Sequence, residues 1–183
     1  MLDAAEYLHL AIDASQKGDH HAALNYLNQA LENEPANAGL IYFQAAEHAE
    51  LGLFERACAG MTKALEIDGR IDIARFQLGL LHLKLQRPDD ARETFSTLVS
   101  LTQDDSLRTF GEAYINLLDD DLAGARTKLE AGLVNCNNPA LKADMARILA
   151  NLTQEASEDT AVPSVDDPAP VFLGAYRDAN ENA

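Results

Sequence analysis

Small and apolar residues recur along this 183-residue chain at a constant interval of 34 positions. Alanine stands at four of these positions: Ala23, Ala57, Ala91 and Ala125. A large apolar residue stands four positions after each alanine: Leu27, Met61, Phe95 and Leu129. Such an interval is typical of helical hairpins stacked in series. The chain is therefore predicted to be an all-α repeat array, in which each unit packs only against its neighbours.

Within each interval the apolar residues are spaced by three and four, which predicts two helices. In the first interval, Gly18 can end one helix, Asp19 can cap the next and Pro35 stops it. The predicted array covers residues 4–153 and has five parts: units 4–37, 38–71 and 72–105, a degenerate unit 106–139 and a capping helix 139–153. The fourth unit is degenerate because Glu112 and Gly132 interrupt its pattern.

The first unit also carries the residues by which a known family is recognised: Tyr7, Leu10, Ala11, Ala14, Ala23, Leu27, Ala30 and Pro35. This set resembles the tetratricopeptide repeat, in which small residues let paired helices approach closely while larger neighbours fill the gaps. The resemblance implies a short right-handed superhelix of antiparallel helix pairs, a solenoid whose first helices line a concave side. It also implies protein binding rather than catalysis.

The resemblance further implies which side chains face the hollow of the superhelix. They are predicted to form an apolar, aromatic-rich stripe: Leu8, Ile12, Tyr42, Phe76, Leu80, Leu83, Phe110 and Tyr114. Because exposed apolar patches commonly mark interaction sites, this first-helix stripe is predicted to bind the apolar anchors of a protein or peptide. In the alternative interpretation, the same residues pack against the adjacent repeat or the capping helix. Some family members hold a carboxylate tail here, but the matching places in this chain are apolar, which argues against that function.

The formal net charge of the chain is -16. Such a chain repels phosphate backbones and anionic lipid surfaces, so neither nucleic acid nor a membrane is predicted as a partner. No secretory signal and no membrane-spanning helix are predicted, because the first residues carry acids and no apolar run approaches the roughly 20 residues needed to cross a bilayer. Cys58 and Cys136 form no CxxC motif, so the protein is predicted to be reduced and cytoplasmic.

No motif for phosphate binding, dinucleotide binding, a serine nucleophile or a zinc protease is present, so no enzyme activity, cofactor or metal is predicted. His20 and His21 follow a turn and are predicted to be solvated, with a metal site as the minor alternative. His48 and His82 occupy equivalent places in neighbouring units. Each is predicted to pack between helices, and the alternative is a stacked pair that responds to pH.

The composition changes after about residue 154. Residues 154–183 are acidic and contain prolines, which predicts a mostly disordered tail. Residues 171–176 form an apolar island in this tail, whose large side chains are candidates for docking to the groove of this chain or of a neighbour: Val171, Phe172, Leu173 and Tyr176. The alternative is a chance fluctuation in composition.

These features favour a non-catalytic adaptor that holds an apolar peptide or helix in its concave groove. The acidic surroundings of the groove favour basic flanks on the partner. One alternative function is a small acidic chaperone of the secretion type, which would keep an apolar client soluble. A second alternative is a scaffold protein that associates with itself into a homo-oligomer through its C-terminal tail.

Overall fold

The computed structural model describes residues 2–155 of the chain. Within this range the backbone forms nine α-helices and no strand: α1 (Ala4–Gln16), α2 (His20–Asn33), α3 (Ala38–Glu50), α4 (Phe54–Ile67), α5 (Asp72–Lys84), α6 (Pro88–Leu101), α7 (Asp105–Leu118), α8 (Leu122–Asn135) and α9 (Pro139–Glu155). The prediction of an all-α helical repeat fold is confirmed. None of these nine helices is both long enough and apolar enough to cross a membrane. The apolar island at residues 171–176 lies outside the described residues.

Polar caps and turn glycines set the helix boundaries. At the start of α1, the Glu6 N–H donates to the Asp3 carboxylate at 2.8 Å, and the Asp3 N–H donates to the Glu6 carboxylate at 2.9 Å. Side chains also cap five later helices: Asp19, Asn37, Asp104, Asp121 and Asn138. The turns after α1 and α3 contain Gly18 and Gly52 at φ of 76° and 73°. Glycine adopts this left-handed conformation at little cost, so both turns stay short.

Consecutive helices pack against one another from α1 to α9, with the most extensive contacts inside the pairs α1–α2, α3–α4, α5–α6 and α7–α8. The repeated alanines of the second helices are fully buried: Ala23, Ala57, Ala91 and Ala125. Their small side chains let the helix backbones approach closely. Gly79 serves the same purpose in α5, because a Cβ at its position would lie 2.6 Å from the Phe95 ring.

The fourth helix pair departs from the others in sequence but keeps the same packing. Gly132 is buried in α8, where a Cβ would overlap the Phe110 ring of α7. Glu112 of α7 forms an ion pair with Lys128 of α8, in which the nitrogen and oxygen are 2.6 Å apart. Both residues that interrupt the repeat pattern therefore contribute to the contact between α7 and α8.

Helix α9 covers the last repeat. Its side chains Leu141, Met145 and Leu152 belong to the buried core. The guanidinium group of Arg126 in α8 donates a hydrogen bond to the carbonyl oxygen of Leu152 at 3.0 Å. A closing helix of this kind shields the apolar face of a terminal repeat from water.

Candidate functional site

Five of the eight residues of the first-helix stripe are buried. Their exposed fractions are Tyr42 1%, Phe76 1%, Leu80 8%, Phe110 0% and Tyr114 7%. The prediction that these five side chains line an open groove is wrong. An aromatic residue that is already buried at this level has no free surface to offer to a partner.

Aromatic packing between helices explains much of this burial. The ring of Phe95 in α6 stacks on Tyr114 of α7, with centroids 4.9 Å apart, and lies 5.9 Å from the ring of Phe76 in α5. Phe76 and Tyr114 also meet edge to face at 5.7 Å. Phe110 packs against α8 at Gly132. Contacts of this kind add stability beyond the burial of area, so these rings hold α5 to α8 together.

The other three residues of the stripe are Leu8, Ile12 and Leu83, which are half-buried at the edge of the core. Leu8 and Ile12 are four residues apart and therefore share one face of α1. Leu10 lies on the opposite side of the same helix and is exposed. The accessible part of the stripe thus consists of a two-residue patch on α1 and one leucine on α5.

A buried glutamate, Glu47, lies between the first two repeats. No pattern in the sequence predicted its burial. The Glu47 side chain is fully buried in α3, and its carboxylate lies 2.8 Å from Nδ1 of His20 at the start of α2. Burial raises the pKa of Glu47, and hydrogen bonds from His20 and Ser15 partly offset that effect. His20 is thus half-buried and bonded, contrary to the prediction that it is solvated, whereas His21 is exposed.

A groove runs between α2 and α4, with α3 as its base, and it is called the α2–α4 groove below. Its volume is about 420 Å³. Nine residues line it: Leu31, Pro35, Ile41, Gln44, His48, Arg56, Ala59, Gly60 and Lys63. The helices approach closely here because Gly60 of α4 faces Ala45 of α3, leaving no room for a Cβ. The groove combines an apolar base with polar and cationic side chains.

Two cations of this groove lack an acidic partner. Among residues 2–155, neither Arg56 nor Lys63 forms an ion pair, whereas most basic residues of the array do, including Arg87 with Glu55 at 2.6 Å. Arg56 is the third residue of α4. A cation in the first turn of a helix opposes the helix dipole, so the stability of α4 does not account for this arginine.

His48 completes the polar part of the groove. It is half-buried in α3, and burial lowers its pKa, with a further decrease from the nearby charge of Arg56. The imidazole is therefore neutral at pH 7, and the positive charge of the groove comes from Arg56 and Lys63. Gln44 is engaged elsewhere, because its amide donates a hydrogen bond to Asn28 of α2 at 2.7 Å.

Other sites in the described part of the chain have fewer groups available to bind a ligand or to react. A wider cleft of about 790 Å³ lies beside the turn between α4 and α5, but its charged residues Asp68 and Arg70 bind each other at 2.9 Å. Burial raises the pKa of the Cys58 thiol to about 11, so this thiol is protonated and unreactive at neutral pH. Within residues 2–155, no three His, Cys, Asp or Glu side chains are grouped as metal ligands.

Comparison with solved structures identifies similar folds at low sequence identity. One is MamA (residues 41 to the end) from Desulfovibrio magneticus RS-1, with a TM-score of 0.61 and 17% identity over 86% of this chain and 97% of that chain. Another is a tetratricopeptide repeat protein from Parabacteroides merdae, with a TM-score of 0.63 and 18% identity over 87% of this chain and 66% of that chain. A third is PilF from Pseudomonas aeruginosa, with a TM-score of 0.63 and 18% identity over 85% of this chain and 71% of that chain. At these identities the likeness establishes the fold alone.

Family models agree with the fold. Two models described as the tetratricopeptide repeat match residues 76–140 and residues 7–37, which together make up just over half of the chain. A search of curated proteins found no match. The tetratricopeptide fold generally serves as a non-catalytic protein-interaction module. From its repeats, its helices and these matches, the chain belongs to the tetratricopeptide repeat family.

Proposed function

We propose that this chain is a non-catalytic adaptor that holds an apolar segment of a partner protein on the accessible part of its first-helix stripe. The observation that carries this proposal is the partial exposure of Leu8, Ile12 and Leu83. Each contacts the core on one side and water on the other. The five buried residues of the stripe do not contact the partner.

The physical basis is the burial of apolar area. Complete burial of a leucine or isoleucine side chain contributes about 1.5–3 kcal/mol, and half-exposed residues retain part of that gain for a partner. The patch is small, so the interaction needs either additional contacts or a high local concentration. The net charge of -16 favours basic residues on the flanks of the partner segment and speeds their encounter.

Site-specific photo-crosslinking in an extract of the source cells tests this proposal. A benzophenone amino acid placed at position 8 or 12 is expected to capture one protein in a defined crosslink. The same amino acid at position 10, on the opposite side of α1, is the matched control. Leu8→Asp with Ile12→Asp should remove the crosslink formed by a probe at position 83. Equal crosslinking from positions 8, 10 and 12 would contradict the proposal.

We further propose that the chain can associate with itself through residues 171–176, which lie outside the described residues. Its support is the sequence of that island, with Val171, Phe172, Leu173 and Tyr176 in an otherwise polar tail. Light scattering coupled to gel filtration compares the full chain with a chain that ends at residue 155. A mass that is unchanged by the truncation would contradict tail exchange. The net charge of -16 supports a secretion-type chaperone as an alternative function, and the two free, buried cysteines support a cytoplasmic location.

A further inference from the structure

The α2–α4 groove offers a kind of chemistry that the first-helix stripe lacks. Its base is apolar, formed by Leu31, Pro35 and Ile41, and its cationic groups are Arg56 and Lys63 on α4. These two residues are seven positions apart, so both side chains leave the same face of the helix. Neither is neutralised by an ion pair among residues 2–155. Within a chain of net charge -16, the groove is a local site of positive charge.

The other repeats do not share this charge. The positions equivalent to Arg56, 34 residues apart, hold no cation: Ala22, Asp90 and Gly124. The positions equivalent to Lys63 hold none either: Gln29, Thr97 and Ala131. The repeat fold therefore does not require a cation at either place. The pair is a property of the second repeat alone.

We propose that the α2–α4 groove binds a short acidic peptide segment of a partner protein. Carboxylates of the segment pair with Arg56 and Lys63, and an aliphatic side chain between them rests on Leu31 and Pro35, which are accessible beside the buried Ile41. This inference rests on the proposed function in one respect, that the chain is a protein-interaction module. It concerns a different surface and a partner of different charge.

The observations favour an acidic peptide over other anions. A long polyanion such as nucleic acid would meet the repulsion of the whole acidic chain, whereas a short segment meets mainly the local charge of the groove. Inorganic phosphate would leave the apolar base in contact with water. A groove of about 420 Å³ has room for a few side chains, which suits a peptide with alternating aliphatic and acidic residues.

The test uses the full chain and a fluorescein-labelled synthetic peptide that repeats Leu-Asp-Asp, with binding measured by fluorescence anisotropy. A peptide that repeats Leu-Asn-Asn has the same shape without the charge. The test variant is Arg56→Glu with Lys63→Glu. The matched control is Lys84→Glu with Lys142→Glu, which changes the net charge equally on α5 and α9. Circular dichroism confirms that both variants remain helical.

The proposal predicts that the acidic peptide binds the wild-type chain and that affinity falls as salt rises. The test variant should raise Kd at least about tenfold, because it removes both charge-assisted hydrogen bonds and places like charges beside the peptide. The control variant should raise it less than about twofold. The proposal is overturned if the wild-type chain does not bind the acidic peptide, if the Leu-Asn-Asn peptide binds equally well, or if both variants lose affinity equally.

A second readout reports on the groove itself. Carboxylates placed beside Arg56 should offset its charge and raise the pKa of His48, measured by NMR titration of the imidazole with and without peptide. The pKa of His82, one repeat away, should not change. A rise at His82 alone would place the peptide elsewhere and overturn the proposal. The crosslinking test at positions 8 and 12 is independent of this groove, so the two proposals fail separately.

Discussion

The α2–α4 groove and the matching surface one repeat further, between α4 and α6, share a backbone but differ in charge. In the first, His48 lies near Arg56, which has no acidic partner among residues 2–155. In the second, the equivalent His82 lies 3.9 Å from Asp90, which stands in the place of Arg56. The buried Arg75, equivalent to Ile41, is held by Asp72 at 3.3 Å and by the Gly69 carbonyl at 2.7 Å.

The difference separates two kinds of constraint on a repeat protein. Positions such as Ala57 and Ala91 repeat because close helix packing admits no larger side chain. Positions in the grooves are free of that constraint, so their side chains can differ from one repeat to the next. The charge of Arg75 is balanced by Asp72 within the protein and therefore contributes to the stability of the fold. The charge of Arg56 is not neutralised within residues 2–155 and lies beside an apolar groove, which is why an acidic peptide is proposed to bind there.

The largest loss of stability is expected from a substitution in the core beneath both surfaces. Phe76→Ala should destabilise the protein by about 3–5 kcal/mol, because it removes a fully buried ring that contacts Phe95 and Tyr114. Urea unfolding followed by circular dichroism measures this loss. Leu8→Ala on α1 is the control, and its loss should be clearly smaller. Equal losses of stability in the two variants would contradict the assignment of Phe76 to the core and indicate that its ring is accessible.

The two arginines should differ in their effect on stability. Arg75→Ala removes the donor to the Gly69 carbonyl and one of the two donors to the Asp72 carboxylate, which keeps its hydrogen bond from Thr102, with an expected loss of about 1–3 kcal/mol. Arg56→Ala removes an exposed cation that makes no ion pair and should change stability by less than about 0.5 kcal/mol. The same urea experiment compares both variants. If Arg56→Ala costs as much as Arg75→Ala, the arginine in the first groove is structural, and its availability to a partner is refuted.

Transfer of the charge between the repeats should transfer part of the binding. Arg56→Asp with Lys63→Thr gives the first groove the residues of the second and should weaken the acidic peptide at least about tenfold. Adding Asp90→Arg and Thr97→Lys to that variant should restore some affinity. The restoration should be incomplete, because the second surface has Arg75 where the first has Ile41. Anisotropy measures both steps. An unchanged affinity in the first step would show that the groove does not hold the peptide.

The smallest effect concerns acid sensitivity. Burial lowers the pKa of both His48 and His82 from the ordinary value of 6.5, and Asp90 partly opposes this at His82. Below that value the unfolded chain binds more protons than the folded one, so the free energy of unfolding decreases as pH falls. His48→Gln should therefore flatten the pH dependence more than His82→Gln does. Urea midpoints across mildly acidic pH measure it. The reverse order would contradict the role assigned to Asp90.

The sequence was sufficient for the fold because the 34-residue interval reports packing directly. The sequence did not reveal that most of the first-helix stripe is buried, because an aromatic residue at the repeat interval fits a packed core as well as an open groove. Phe76 and Tyr114 are buried because Phe95 of α6 meets both rings, a contact that only the structure reveals. The bond between His20 and Glu47 spans 27 positions and has no local pattern.

The sequence did not predict the α2–α4 groove, although it contains part of the evidence for it. Arg56 and Lys63 differ from every equivalent residue in the other repeats, and an alignment of the four repeats reveals this. The sequence could not reveal that Leu31 and Pro35, at the end of α2, lie beside them. Leu31 and Pro35 belong to the first repeat and the cations to the second, so the site exists only after the helices have stacked.

The most direct test of this account is residue-level NMR mapping of the acidic peptide on the isotopically labelled full chain. The resonances of Gln44, His48, Arg56 and Lys63 are expected to shift together on titration. Those of His82 and Asp90 are expected to remain in place. Shifts centred on the second surface, or spread evenly over all repeats, would contradict the claim that the unpaired cations of the second repeat mark a binding site.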